Sequence, residues 1–126
     1  MFSGVEHVAI ASRNPKQLAD WYVHHLEFRE IYEFDGNYFV KASNGSILEI
    51  IPAREQRISQ QMYHPGLRHL AITVSDFEAA FQTLQSKQIS FVNEPFSTPQ
   101  GNRVVFFEDC EGNLLHLIQR AQPLPE

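Results

Sequence analysis

Two short segments of this chain say nearly the same thing. Val5-Glu6-His7-Val8-Ala9-Ile10-Ala11 and Leu67-Arg68-His69-Leu70-Ala71-Ile72-Thr73-Val74 both read as strands. Both carry His, an apolar residue, Ala and Ile in the same order. Each is followed by a capped helix, by further strands, and by a glycine with an ionisable residue four positions on: Gly45 with Glu49, Gly112 with His116. A supersecondary pattern that recurs in one chain predicts one βαβββ unit written twice, with any chemistry at equivalent points of both copies. The 126 residues suit a single domain, long enough to bury roughly two-thirds of the unfolded surface. Within it, module one spans about 5–52, a polar connector 53–66, and module two about 67–120.

In the first copy, Val5 to Ala11 is a strand whose Glu6 lies towards an exposed end. Asn14-Pro15-Lys16-Gln17 opens a helix: Asn14 caps, Pro15 suits the first turn, and Gln17 has capping-box spacing. Leu18, Tyr22 and Leu26 form the helix stripe. His24 and His25 read as helix-surface residues, because adjacent helical positions point about 100° apart and do not easily share a metal. Phe28 to Phe34 and Tyr38 to Ala42 are strands joined at Asp35-Gly36-Asn37, and Asn44-Gly45 leads into the strand Ser46 to Ile51. Both faces of that last strand are apolar, which predicts burial on both sides with the Glu49 carboxylate in the middle. A buried carboxylate has to be neutral, hydrogen-bonded, ion-paired or metal-bound.

The second copy repeats the plan. His64, in the connector beside Pro65-Gly66, reads as a loop residue. Ser75-Asp76-Phe77-Glu78 has capping-box spacing, and Phe77, Ala80, Phe81 and Leu84 make the helix stripe. Ile89 to Val92 is a short strand, Asn93 to Asn102 a long loop, and Arg103 to Phe107 and Asn113 to Gln119 the closing strands. His116 sits in Leu114-Leu115-His116-Leu117-Ile118, again apolar on both faces.

Composition narrows the classes of partner. A formal charge of −5, with basic residues spread singly, argues against nucleic acid or an anionic membrane. The one cysteine, Cys110, excludes an internal disulfide framework and fits a reducing, cytoplasmic compartment. Its acidic neighbours Glu108, Asp109 and Glu111 are expected to raise its pKa, which makes it a turn residue and not a nucleophile. No apolar run approaches the ~20 residues of a membrane span, and the start of the chain lacks a signal-peptide pattern.

His7, Glu49, His69 and His116 are thus ionisable residues centred in apolar strands at two matched pairs of repeat positions. A pseudo-twofold arrangement of the two units would bring them to one place. Three imidazoles and a carboxylate suit one divalent transition ion (Zn, Ni, Mn, Fe or Co) and not Ca or Mg. Open coordination positions on such an ion point to catalysis more than to structure.

From Val5 to Gln119 the chain resembles the vicinal oxygen chelate superfamily. That group includes glyoxalase I, methylmalonyl-CoA epimerase, extradiol dioxygenases, fosfomycin-resistance transferases and bleomycin-binding proteins. The resemblance is carried by Glu6-His7-Val8-Ala9-Ile10, Trp21-Tyr22, Leu48-Glu49-Ile50, Arg68-His69-Leu70-Ala71-Ile72 and Phe106-Phe107-Glu108-Asp109-Cys110-Glu111-Gly112-Asn113. Leu26-Glu27-Phe28 stands where the family often has Leu-Gly-Phe. It implies an α+β fold, two tandem βαβββ modules forming a curved mixed sheet around a metal-binding cup. His7, Glu49, His69 and His116 match the four metal-ligand positions, with His116 replacing a usual Glu.

The resemblance further implies a homodimer acting on a small-molecule substrate. The glyoxalase/epimerase type of metal-dependent lyase or isomerase fits this set best, since Glu49 still supplies a carboxylate that can serve as catalytic base. The alternatives are a metal-free binding protein of the antibiotic-sequestering kind and, lower, a metal-dependent dioxygenase, whose signature uses the missing Glu.

Overall fold

A computed structural model describes residues 1–59 and 61–126; Gln60, in the expected connector, lies outside the described residues. The chain divides into two compact units, Met1–Ile58 and Ser59–Glu126. Among the described residues, each holds one helix, of 12 residues in the first and 10 in the second, and one mixed sheet. The fold is α+β and built in tandem, as the repeat predicts.

In the first unit β1 (Val8–Ser12) leads into α1 (Pro15–Leu26), then β2 (Arg29–Phe34), β3 (Asn37–Lys41) and β4 (Ile47–Pro52). The sheet order is β1-β4-β3-β2. β1 runs parallel to β4, and the other pairs are antiparallel. Asn14 caps α1 by accepting from the Gln17 amide at 3.2 Å, with Pro15 in the first turn. Leu18, Ala19 and Tyr22 are the buried face of this helix, packed towards Val40, Leu48 and Ile50. Leu26, expected in the stripe, is only half-buried and Ala19 takes part instead.

The second unit has β5 (Leu70–Thr73), α2 (Phe77–Ser86), β6 (Ser90–Phe91), β7 (Phe96–Ser97), β8 (Arg103–Glu108) and β9 (Leu114–Gln119). The order is β5-β9-β8-β6, with β7 also pairing β8. This sheet therefore has five strands instead of four, the extra one lying inside the expected loop 93–102. The helix start also differs from expectation. Asp76, not Ser75, is the cap, and its carboxylate accepts from the Ala79 amide at 3.1 Å. The Phe77 amide is taken by Gln119 Oε1 at 2.7 Å, so a residue of β9 does part of the capping.

One helix covers one face of each sheet, and that corrects the expectation of strands buried on both sides. In β4 Leu48 and Ile50 are buried, while Ile47, Glu49 and Ile51 on the opposite face are half-exposed. β9 comes nearer to the expectation, with Leu115, His116 and Leu117 all buried. The candidate donors Glu49 and His116 sit on the faces turned away from the helix-packed residues. Among the described residues, no helix is long and apolar enough to cross a membrane.

Candidate functional site

Two turns aim the central donors. Gly45 (φ 95°) and Gly112 (φ 86°) both adopt the left-handed conformation that glycine enters without a Cβ penalty. Each turn delivers the chain into the strand that carries the donor. The surroundings then repeat across the two sheets. Glu49 stands beside Ala9 on the parallel neighbour and Phe39 on the antiparallel one. His116 stands likewise beside Ala71 and Phe106. A small residue on one flank leaves room at the donor, and a Phe on the other keeps its surroundings apolar.

In the first unit His7, immediately before β1, meets Glu49. Its Nε2 lies 3.2 Å from Glu49 Oε1, with the side chains 32% and 21% exposed respectively. Glu6 Oε1 lies 2.9 Å from the other ring nitrogen, Nδ1. Phe39 meets the His7 ring edge-on at 5.7 Å, and Tyr32 lies beyond it at 5.9 Å.

The second unit pairs His69, immediately before β5, with His116. Their ring centroids are 4.7 Å apart at 64°. Phe106 contacts both, at 5.8 Å and 4.9 Å. His116 is only 8% exposed, and its Nδ1 lies 3.2 Å from the Leu117 carbonyl. A carbonyl only accepts, so Nδ1 carries the proton and Nε2 keeps its lone pair. Burial is the main influence holding the His116 pKa below the ordinary imidazole value. The Leu117 bond opposes it, and the nearby His69 and Arg120 charges add to the lowering. A neutral imidazole with a free Nε2 is the form that ligates metal.

The donor chemistry fits a transition ion. Two donors on one tetrahedral ion with bonds of about 2.0–2.2 Å stand about 3.3–3.6 Å apart, and the 3.2 Å between His7 and Glu49 lies just below that range. The structure brings the four expected residues together as two pairs, one in each unit. Among the described residues, no group of three or more His, Cys, Asp or Glu that could hold a metal is found.

The other histidines, Arg103 and Cys110 have ordinary roles. His24 Nδ1 donates to the Asp20 carbonyl at 2.7 Å. His25 Nδ1 donates to that of Trp21 at 3.0 Å, with its ring stacked on the indole. His64 Nδ1 accepts from the Gln61 amide. Arg103 bonds Glu78 and lies over the Phe77 ring. Cys110 is exposed, and its pKa is raised by partial burial and then by Asp109 and Glu111. Sequence reasoning missed Glu6 as a partner of His7, and Phe39 and Phe106 as flanks of the two central donors. The available signal was the repeat: each Phe holds the same place in its module relative to a donor.

The tandem α+β fold finds its counterpart among known proteins. The model of the Glyoxalase/Bleomycin resistance protein/Dioxygenase superfamily matches residues 4–117, and the chain belongs to that family. It is 32% identical to the uncharacterized protein YwkD of Bacillus subtilis (strain 168), over 95% of this chain and 99% of that one. A glyoxalase family protein from Enterococcus faecalis superposes with a TM-score of 0.75 at 28% identity, covering 94% of this chain and 98% of its own. The SMU.1112c structure does so with 0.77 at 27% identity, covering 94% and 100%.

Proposed function

We propose that this chain is a metal-dependent lyase or isomerase of the glyoxalase/epimerase type, acting on a small α-oxygenated carbonyl compound. His7, Glu49, His69 and His116 would hold one divalent transition ion per chain. The observation that carries the reading is the approach of His7 Nε2 to Glu49 Oε1 at 3.2 Å, a donor spacing suited to one ion, within a family whose members commonly use such an ion. When bound, the ion supplies Lewis acidity for the negative charge that develops on a carbonyl oxygen.

The chain's own residues then divide the work. Glu49, the one carboxylate of the four, takes the proton from the carbon beside the carbonyl and returns it to the neighbouring position. His116 is a poor base, because a histidine that ligates through Nε2 and donates through Nδ1 has no lone pair left. Phe39 and Phe106 flank the two central donors, where they limit water near the reacting carbon. The homodimer, the cytoplasmic location and the small-molecule substrate belong to the same proposal. A monomer by light scattering would remove the dimer from it.

The mutant test is asymmetric. Glu49→Gln should keep much of the metal yet lose proton exchange at the substrate carbon, whereas His7→Ala or His69→Ala should lose both. Full turnover by Glu49→Gln, on a substrate the wild type processes, would remove the base assignment.

One observation favours a second reading, a metal-free small-molecule binding module. Phe39 and Tyr32 form an aromatic row on the first sheet, and Tyr32 and Phe34 are exposed. Elemental analysis of untagged protein separates the two readings. Metal that stays far below one equivalent after adding Zn, Ni, Mn or Fe favours the binding module.

A further inference from the structure

Glu6 is 83% exposed, and an exposed carboxylate next to a histidine in sequence would ordinarily deserve no role. Its placement says otherwise. Glu6 Oε1 lies 2.9 Å from His7 Nδ1 while Glu49 Oε1 lies 3.2 Å from His7 Nε2. Both carboxylates only accept. A neutral imidazole has one proton to give, so it can serve one of them and must turn a lone pair towards the other. If the proton is on Nε2, His7 is tied to Glu49 and has no free donor atom facing it. If it is on Nδ1, the Nε2 lone pair and the Glu49 oxygen face each other, an arrangement that repels unless a cation lies with them.

We propose that Glu6 is the positioning residue that holds the His7 proton on Nδ1, so that Nε2 and Glu49 are offered together to a cation. The inference rests on the metal reading above and extends it to a residue outside the four ligands. Carboxylates and carbonyls that receive the second N–H of a ligating histidine fix its tautomer and raise its basicity. The second unit reaches the same tautomer by another route, through the Leu117 main-chain carbonyl on His116 Nδ1. In the first unit that partner is a side chain, so substitution can remove it. An exposed ion pair without this function would contribute little and would leave both the tautomer and the metal affinity unchanged.

The test compares wild type with Glu6→Gln and Glu6→Ala. In metal-free protein, kept alkaline enough for neutral imidazole, long-range proton–nitrogen NMR reports which His7 nitrogen carries the proton. Zinc affinity is measured separately by competition with a chromophoric chelator. Because Glu49 competes for the proton when no cation is bound, the wild type should populate the Nδ1–H form in part, and more than Glu6→Ala does. Glu6→Ala should shift the proton to Nε2 and weaken zinc binding by about 10-fold or more. Glu6→Gln, whose amide oxygen still accepts, should keep most of the tautomer and fall between the two in affinity. The metal-free melting temperature should be the same in all three. If Glu6→Ala leaves the tautomer and the affinity as they are, the role is refuted. A wild type that binds no zinc refutes the metal reading instead, and the tautomer comparison still decides what Glu6 does. Should Glu6→Ala fail to fold, Glu6→Gln carries the comparison through its smaller loss of affinity.

Discussion

The first unit keeps both of its candidate donors partly in solvent with carboxylates at both nitrogens of His7, while the second pairs an exposed His69 with a buried His116. Glu49 and His116 have the same neighbours, an Ala on the parallel strand and a Phe on the antiparallel one. Yet Glu49 is about one-fifth exposed and His116 is buried. The difference teaches how a repeated fold carries different charges at equivalent points. Where water and a second polar group reach the position, a carboxylate is tolerated. Where burial is nearly complete, as at His116, the residue is one that can be neutral, and its proton goes to a main-chain carbonyl.

Exchanging the two donors is the strongest way to break this comparison. In metal-free protein, His116→Glu places a carboxylate between Phe106 and Ala71 and loses the Leu117 bond, and it should cost about 1–3 kcal/mol of stability. Glu49→His, at the more exposed position, should cost less than about 1 kcal/mol. Urea unfolding in the presence of a chelator measures both. Equal costs would mean that the two environments are alike and that burial did not select the histidine.

The helix ends offer a smaller test that sharpens the likeness of the units. After α1, Glu27 has φ 62°, and after α2, Gln88 has φ 59°. Both are non-glycine residues in the left-handed region, where a Cβ is strained. Glu27→Gly and Gln88→Gly should each raise stability by up to about 1 kcal/mol, less the entropy glycine adds to the unfolded chain. Thermal unfolding would show it. A loss at either position would mean that side-chain contacts outweigh backbone strain there.

The smallest expected effect concerns Cys110, which has no counterpart in the first unit. Burial and the Asp109 and Glu111 charges raise its pKa, so less of it is thiolate at mildly alkaline pH than in an ordinary exposed cysteine. Its alkylation by iodoacetamide should be slower than that of a cysteine peptide, with the rate inflection displaced to higher pH. A rate equal to the peptide's would show that the acidic turn does not act on the thiol.

The sequence by itself determined the repeat and the capped first helix, and it singled out the four candidate donors. Those are matters of spacing, of glycine before a strand, and of a charged residue set into an apolar run. It also determined that Cys110 is no nucleophile, because the acids that suppress it are its chain neighbours. Only the tertiary structure decided which strand faces are covered. Strand patterning is blind to whether a helix lies on one side or both, and so β4 was expected to be buried throughout when one face is half-open. The same blindness hid the roles of Gln119 and Glu6. Gln119 reaches the first turn of α2 from a strand 42 positions away, a contact no local rule anticipates. Glu6 is adjacent to His7, but strand alternation sends neighbouring side chains to opposite faces. Because β1 starts only at Val8, that rule does not reach Glu6, and its carboxylate can turn back onto the ring.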